Sequence, residues 1–563
     1  QWQPVPKQLD RKLGDNSITA TLCYPDSSRH LTGFNPMIYP DLHLIYTVNV
    51  ESKGKNIEVT VDLDRPIPQE FIGKVGFNLE FFPGSLFGKP WIMDGQSGIF
   101  PQQPNSPLMT TQPNYLHTGN YHDGKKSLAD MDKLIGKGYS PIVADDIISE
   151  PYAKGTKFTS RPDDPYNKVT IESLSGDLQL FDGRMNHNNG WFVLRSNIKP
   201  GVTKGAVKWI ITPNVVADWM YQPVIQTSQI GYHPTQDKEA VIEMDIRDNR
   251  KETAQIIRID ADGEKVVKNV TPANWGKFLR YNYLKVNFTD VKEPGLYKIK
   301  YNTSVSPIFR IDNDVYARGV WQPVLEYFLP VQMCHMRVNE KYRVWHDCCH
   351  MDDAQMAPAH NHIDGYDQKE GLSKFKPGEV VPGVNIGGWH DAGDFDLRIE
   401  SQAGESYILA LAYEAFHPNL DVTSIDQINR VTEIHQPDGK NDLLQQVENG
   451  ALTVVNGYLA LGRLYRGIIC NDLRQYVLLG DAAAMTDGKI GNEDDRWIFT
   501  EDNPGRELST AAQLAAVSRV LKGFNDTLSV HCLDIARKVY ASTGSGNNRA
   551  LFPKVQAAVE LYL

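Results

Sequence analysis

The stretch Gly387-Gly388-Trp389-His390-Asp391-Ala392-Gly393-Asp394 is the part of this sequence that best predicts its fold and chemistry. Two glycines permit a tight turn, and two carboxylates stand three residues apart where a helical pattern of apolar residues begins. Residues three apart face one side of a helix, and a helix N-terminus favours ionised acids. The spacing predicts either a general base with a water-orienting carboxylate, or an ordinary N-cap (Asp391) and first-turn acid (Asp394).

Three patterns divide the 563 residues around that stretch. Residues 1–215 alternate β-branched and aromatic residues with polar ones between turn clusters, which predicts a β-sandwich interrupted by a long loop over 81–114. Residues 216–312 have turns about every 8–12 residues and predict an immunoglobulin-like β-sandwich. From 313 to 563 the apolar period is helical, which predicts an all-α domain. Its candidate helices are Val315–Gln332, Phe395–Phe416, Asp442–Leu464, Ser509–Lys522, Leu528–Tyr540 and Ala550 to the end.

Composition excludes several classes of function. The chain has 58 Lys and Arg against 69 Asp and Glu, a net charge of −11, so no general attraction to nucleic acid or anionic membrane is expected. No apolar run approaches the roughly 20 residues of a membrane span. Metalloprotease, phosphate-loop, serine-hydrolase and dinucleotide-binding motifs are absent from the sequence, so no nucleotide cofactor is expected.

The stretch Gly387–Asp394 resembles the signature of glycoside hydrolase family 9, whose members are mostly endo-acting β-1,4-glucanases. Further segments resemble that family in the same order along the chain, the first two in the immunoglobulin-like module that precedes the catalytic domain in one branch. These segments are Gln229–Pro234, Glu293–Ile311, Asp314–Tyr316, Asp442–Glu448, Asp494–Trp497 and Thr510–Ala516. The resemblance covers residues 225–563 and leaves 1–215 unexplained.

The resemblance implies an (α/α)6 barrel of twelve helices and hydrolysis with inversion, which uses a base and an acid roughly 6.5–9.5 Å apart. It makes Asp394 the general base and gives Asp391 the task of positioning the water. In this family the acid is a Glu near the end of the catalytic domain, and we assign none within the chain. Six helices are half of such a barrel. We therefore expect the sequence to be the front part of a longer protein, with its acid beyond residue 563, or a second polypeptide to supply the rest.

The same resemblance suggests further roles for residues in and beyond the signature. Trp389 and His390 line the substrate site or brace it, and Arg496 and Trp497 contact sugar or support the barrel. Cys334, Cys349 and His350 resemble three ligands of a structural zinc site. Buried thiols beside an ordinary histidine are the alternative interpretation. The candidates for the fourth ligand are His390, His362 and His335, with Cys348 as an alternative thiolate. Calcium is common in the family, and the oxygen-rich run Asn492–Asp495 is either a calcium site or a solvated acidic turn.

These observations predict an inverting endo-β-1,4-glucanase acting on cellulose, xyloglucan or mixed-linkage glucan. One alternative is an exo-acting β-glucosidase or glucosaminidase of the same family. The other is a carbohydrate-binding protein without catalysis, whose binding aromatics would be Trp91, Tyr115 and Trp191 in the first 215 residues. Because polymeric glucans do not enter cells, we expect a bacterial protein that is secreted, periplasmic or on the cell surface, whose leader has been removed.

Overall fold

The computed structural model describes residues 6–24, 42–73, 75–104, 150–185, 190–361, 365–391, 395–470, 490, 495–544 and 548–563. These residues divide into two compact units. One is Val216–Leu329; the other combines the residues up to Val215 with Pro330–Leu563. Each unit is described separately.

The described residues up to Val215 form two antiparallel sheets with one shared core. The nine-stranded sheet has, in spatial order, the strands Lys7–Leu13, Ser17–Tyr24, Leu44–Lys53, Asn56–Leu63, Val207–Pro213, Val169–Ser173, Lys157–Ser160, Pro90–Met93 and Gln96–Ile99. The four-stranded sheet has Gly76–Phe81, Phe192–Asn197, Leu178–Asp182 and Ala153–Gly155. Single-turn helices lie at Gln69–Phe71, Pro83–Ser85 and Gly183–Met185. Inward residues such as Val61, Leu180 and Phe192 from both sheets belong to one hydrophobic cluster, as alternation along the strands requires.

The prediction of a long loop over 81–114 is wrong for residues 81–104, the part that the structure describes, because they contain a β-hairpin. Strands Pro90–Met93 and Gln96–Ile99 pair in register, with Met93 opposite Gln96. Asp94 and Gly95 connect them with φ angles of 45° and 86°. Two successive residues of positive φ form the tight turn that matches strand twist. The many Pro and Gly residues of this stretch favoured a loop in the sequence analysis. The Asp94-Gly95 pair was the signal for a hairpin of two four-residue strands.

The unit Val216–Leu329 contains two further antiparallel sheets. The first has the strand order Val224–Gln226, Glu239–Asp245, Tyr281–Asn287, Ala273–Phe278. The second has Gly263–Val270, Ala254–Asp260, Gly295–Tyr301 and Ser304–Val305, with Phe309–Ile311 also paired to Gly295–Tyr301. Buried residues from both, among them Ile242, Leu284, Ile256 and Ile299, form one core. A short helical stretch, Val324–Phe328, ends the unit and continues as Leu329–Val331.

Five longer helices are present among the described residues of Pro330–Leu563. They are α1 (Ile399–Phe416), α2 (Asp442–Leu461), α3 (Pro504–Leu521), α4 (Asp526–Ser542) and α5 (Asn548–Tyr562). Asn441, Asn503 and Asn525 cap α2, α3 and α4, because each side chain accepts a backbone N–H of the first turn. Of the described helices, none is long and apolar enough to cross a bilayer. The twelve-helix barrel stays a prediction.

Two predicted helix starts are wrong. Residues 315–321 are not helical, and the helical stretch begins at Gln322. The Gln322 side chain accepts from the Val320 backbone N–H and donates to the Ala317 carbonyl, local bonds that compete with a helix over the preceding residues. The helix predicted from Phe395 begins instead at Ile399. Phe395 has a φ of 53°, outside the right-handed helical region. Asp391 therefore does not lie on the first turn of a helix.

Short strands between the helices position the site. One small sheet has the order Gln355–Met356, Arg496–Thr500, Tyr465–Cys470, Leu397–Arg398. Another has Arg343–His346, Arg337–Glu340, Val431–Ile434, Thr423–Asp426, and a third pairs His360–Asn361 with Asp367–Gln368. Two of these strand pairs are parallel: Gln355–Met356 with Arg496–Thr500, and Arg337–Glu340 with Val431–Ile434.

Candidate metal centre and active-site loop

The loop that precedes Asp391 is fixed to α1 and α2 by buried hydrogen bonds. Gln402 of α1 bonds Trp389 twice, accepting its backbone N–H at 2.9 Å and donating to its carbonyl at 2.9 Å. The indole Nε1 of Trp389 donates to Gln446 Oε1 of α2 at 2.8 Å. The ring fits because α2 has a glycine there: a Cβ on Gly450 would lie 2.4 Å from it. Trp389 is thus held in the interior by residues of two helices.

Four buried side chains converge on the inner side of this loop. Cys334 Sγ lies 3.9 Å from Cys349 Sγ and 3.9 Å from His350 Nδ1, and Cys349 Sγ lies 3.5 Å from His390 Nε2. The four ligand atoms all lie within 4.8 Å of one another. The structure therefore brings His390 to the three residues predicted as zinc ligands.

The donor set fits a tetrahedral zinc ion. Bonds of about 2.3 Å to sulfur and 2.0 Å to nitrogen give ligand-to-ligand distances of about 3.3–3.8 Å, close to the three distances observed. Burial, reinforced by the charge of Arg496, holds the pKa of His350 well below its ordinary value. The ring is therefore neutral, which is the form that binds a metal.

A buried ion network lies beside these four residues. The Arg496 guanidinium, with almost no exposed surface, donates to both oxygens of Asp353, to the Phe395 carbonyl and, at 3.1 Å, to Cys334 Sγ. His335 lies between Asp353 Oδ2 at 2.7 Å and the Gly387 carbonyl at 3.0 Å. Burial opposes charge on Asp353, but Arg496 and His335 outweigh it and lower the pKa of that carboxyl. The network joins Cys334 to Gly387 at the start of the loop and to Phe395 beyond its end.

Asp391 faces the other way, with 45% of its side chain exposed. Its backbone N–H donates to the Asp396 carbonyl at 3.1 Å, and its Oδ2 lies 3.8 Å from Arg398 Nε. Arg398 also binds the buried Asp396 carboxylate, which accepts from the Tyr366 hydroxyl at 3.1 Å. Partial burial, followed by the charge of Asp396, raises the pKa of Asp391. Because the helix begins only at Ile399, no helix N-terminus acts on Asp391, and that part of the expectation is wrong.

Glu405, on α1, is a carboxyl group that the sequence analysis missed. Partial burial and then the charge of Asp391 raise its pKa to about 7. The only signal in the sequence was an acid within a run of small helical residues, Ala403 to Ser406, where a helix packs closely. The charge of Asp391 thus acts on Glu405, and both acids are partly desolvated.

The remaining predicted residues are placed as follows. Trp389, His390 and Arg496 are buried and contact protein groups, and Trp497 is partly buried on the strand Arg496–Thr500. Cys348 lies apart from the four clustered ligands, with its thiol 3.8 Å from the Arg430 carbonyl. Trp91 is buried and Trp191 half-buried. Predictions on Asp394, His362, Tyr115 and residues 492–494 of the acidic run fall outside the described residues.

Comparison with protein families gives two matches. Residues 324–562 match the model of glycosyl hydrolase family 9, and residues 220–306 match that of the cellulase N-terminal ig-like domain. No curated protein matches the chain.

Several solved structures are similar to the chain. A metagenome-derived glycoside hydrolase family 9 endoglucanase is 21% identical over 60% of this chain and 61% of its own, with a TM-score of 0.43. A family 9 protein from Bacteroides ovatus is 20% identical over 60% and 61%, with a TM-score of 0.44. A zinc-binding triple mutant of a family 9 endoglucanase is 21% identical over 58% and 59%, with a TM-score of 0.43. The chain thus spans about three fifths of their length.

Proposed function

Because residues 220–306 and 324–562 carry the two domains of a family 9 glycosyl hydrolase, the chain belongs to that family, and we propose that it is an inverting endo-β-1,4-glucanase. Its substrate class is a plant β-glucan: cellulose, xyloglucan or mixed-linkage glucan. The observation that carries the proposal is the family match over the segment that contains the loop. At the end of that loop, Asp391 is the half-exposed acid.

Inversion needs a carboxylate that activates water on one face of the sugar and a protonated acid on the other. In our proposal Asp394 is the base, a role that rests on the sequence motif, and Asp391 orients the water. Arg398 lies 3.8 Å from Asp391 and favours its ionised form, against the effects of burial and Asp396. With a pKa of about 7, Glu405 is largely protonated below neutral pH, which limits the negative charge around Asp391. The acid is a glutamate that we do not assign.

We also propose that Cys334, Cys349, His350 and His390 hold a zinc ion. Four protein ligands would close the tetrahedron and leave no position for water, so the ion would be structural. It would fix the inner side of the loop whose outer side bears Asp391. In this account Trp389, His390 and Arg496 support the loop. Because these three side chains are buried, the sugar contacts come from residues that are exposed to solvent. Calcium at Asn492–Asp495 stays a prediction, as does a secreted, periplasmic or cell-surface location.

Replacing Asp394 by Ala in the full-length protein tests the proposal. Loss of a general base costs about 10²–10⁴-fold in rate, so reducing-sugar release from soluble xyloglucan, mixed-linkage glucan and carboxymethyl cellulose should nearly vanish. Asp534→Ala, which changes an exposed acid on α4, is the matched control and should retain full activity. Proton NMR of the first product should show the α-anomer. An active Asp394→Ala protein, or a β-anomer as the first product, would overturn the proposal.

A further inference from the structure

One sheet of the unit Val216–Leu329 carries a row of aromatic rings on its outward face. Trp275 and Tyr283 have ring centroids 5.7 Å apart, Tyr283 and Tyr281 6.2 Å, and Tyr281 and Tyr221 5.3 Å. Phe278 lies opposite Tyr281 on the neighbouring strand. These five residues are called the aromatic row.

The aromatic row is separate from the core of its unit. Along Tyr281–Asn287 the even-numbered residues Asn282, Leu284 and Val286 are buried, while Tyr281 and Tyr283 are partly exposed. Trp275 is 57% exposed and Phe278 58% exposed. The row therefore faces solvent. A contiguous exposed aromatic patch of this kind on a folded unit usually marks a binding surface.

A carboxylate held by two phenols lies within the aromatic row. Glu243, on the strand next to Tyr281–Asn287, accepts from the Tyr221 hydroxyl at 3.0 Å and from the Tyr283 hydroxyl at 3.0 Å. Partial burial and then Glu243 raise the pKa of Tyr221 to about 12, so that hydroxyl remains a donor. Each carboxylate oxygen has further acceptor capacity for a ligand hydroxyl.

We propose that the aromatic row binds a single chain of a neutral β-linked glucan outside the catalytic domain. The identity of the sugar rests on the proposed function. Aromatic faces pack against the C–H faces of pyranose rings, and the Glu243 carboxylate accepts from sugar hydroxyls. Centroid spacings of 5.3–6.2 Å are comparable to the length of one sugar residue.

Charge and ring orientation narrow the class of ligand. Glu243 and Glu239 share the face with Lys285, which pairs with Glu239 at 3.0 Å, so the surface does not attract a polyanion. Neighbouring rings are inclined by 58–89° to one another. Rings so inclined cannot lie together on the flat face of crystalline cellulose, but they can contact successive residues of one twisted chain.

Affinity electrophoresis in native gels containing soluble xyloglucan or mixed-linkage glucan tests this site. The full-length protein carrying Asp394→Ala, which prevents hydrolysis, should be retarded. Adding Trp275→Ala or Tyr281→Ala should weaken binding about two- to tenfold, the value of one aromatic contact. Trp275→Phe, which keeps a ring, should retain most of the affinity. Tyr342→Ala is the matched control, because Tyr342 is 99% exposed and lies outside the row.

The outcomes separate this proposal from the proposed function. With Asp394 intact, Trp275→Ala should raise KM for the polymer and leave hydrolysis of a short oligosaccharide unchanged. Migration unaffected by Trp275→Ala and Tyr281→Ala, or no retardation of the parent, would overturn the aromatic row as a glucan site. If retardation depends on Trp275 while the intact protein hydrolyses no glucan, the row stands and the proposed function fails.

Discussion

The two sides of the loop Gly387–Asp391 have opposite environments. On the inner side His390 meets Cys349, close to the buried ion pair of Arg496 and Asp353. On the outer side Asp391 remains 45% exposed, and Glu405 has a pKa of about 7. Adjacent residues, His390 and Asp391, thus belong to different chemistries. Burial separates them, as the proposed roles require: a structural metal needs a closed set of ligands, and a water-orienting carboxylate needs solvent.

The largest predicted effect is on the inner side. Cys349→Ser should abolish binding of one zinc per chain and destabilise the protein by about 4 kcal/mol or more, because a structural metal contributes directly to folding. Inductively coupled plasma mass spectrometry and thermal unfolding measure the two quantities. The neighbouring Cys348→Ser is the control, since that thiol lies outside the cluster. Full zinc occupancy in Cys349→Ser would contradict the metal assignment.

The next largest effect is the loss of stability expected for Arg496→Met, which is also on the inner side. It leaves the Asp353 carboxylate buried without its main partner, which costs about 3–5 kcal/mol. Adding Asp353→Leu should recover part of that loss, because a pair replaced by apolar residues no longer has an orphaned charge. Urea unfolding of both single variants and the double variant gives the coupling. Strictly additive losses would show that the two residues do not act as a pair.

The smallest effect concerns Glu405 on the outer side. Its pKa rises from 4.5 to about 7 on folding, so its stabilising contribution is present below pH 4.5 and is lost as the pH rises through 7. Glu405→Gln should therefore remove about 1 kcal/mol of pH dependence, after allowance for solvent screening. Thermal unfolding between pH 5 and pH 8 compares the variant with the parent. Parallel stability curves would mean that Glu405 titrates normally.

Helix positions were predicted well where apolar periodicity was strong. Asp442–Leu464 was predicted and Asp442–Leu461 observed; Leu528–Tyr540 was predicted and Asp526–Ser542 observed. The prediction failed at Phe395, because a left-handed residue and a two-residue strand interrupt a pattern that looks helical in sequence. Backbone reversals of this kind depend on tertiary contacts, here the Arg496 bond to the Phe395 carbonyl.

The candidate site likewise contains residues that the sequence predicted and residues that it did not. The resemblance identified Cys334, Cys349 and His350, which the structure brings together, but it left the fourth ligand open between several histidines. His390 is 41 residues from Cys349 in sequence, and local spacing does not show that the two side chains meet. Asp353 and Glu405 were missed because each is a single acid with no motif around it. Burial and then Asp391 raise the pKa of Glu405, whereas for Asp353 the upward effect of burial is outweighed by Arg496 and His335. Neither environment is visible in the local sequence.

The most direct test of the two-sided loop is to measure zinc content and hydrolysis rate together in Asp391→Asn. The account predicts one zinc per chain, unchanged thermal stability within about 1 kcal/mol, and a rate on soluble β-glucan lowered about 100-fold or more. Loss of zinc would show that Asp391 supports the inner side as well. Retention of full activity would show that the exposed carboxylate of the loop does not take part in the reaction.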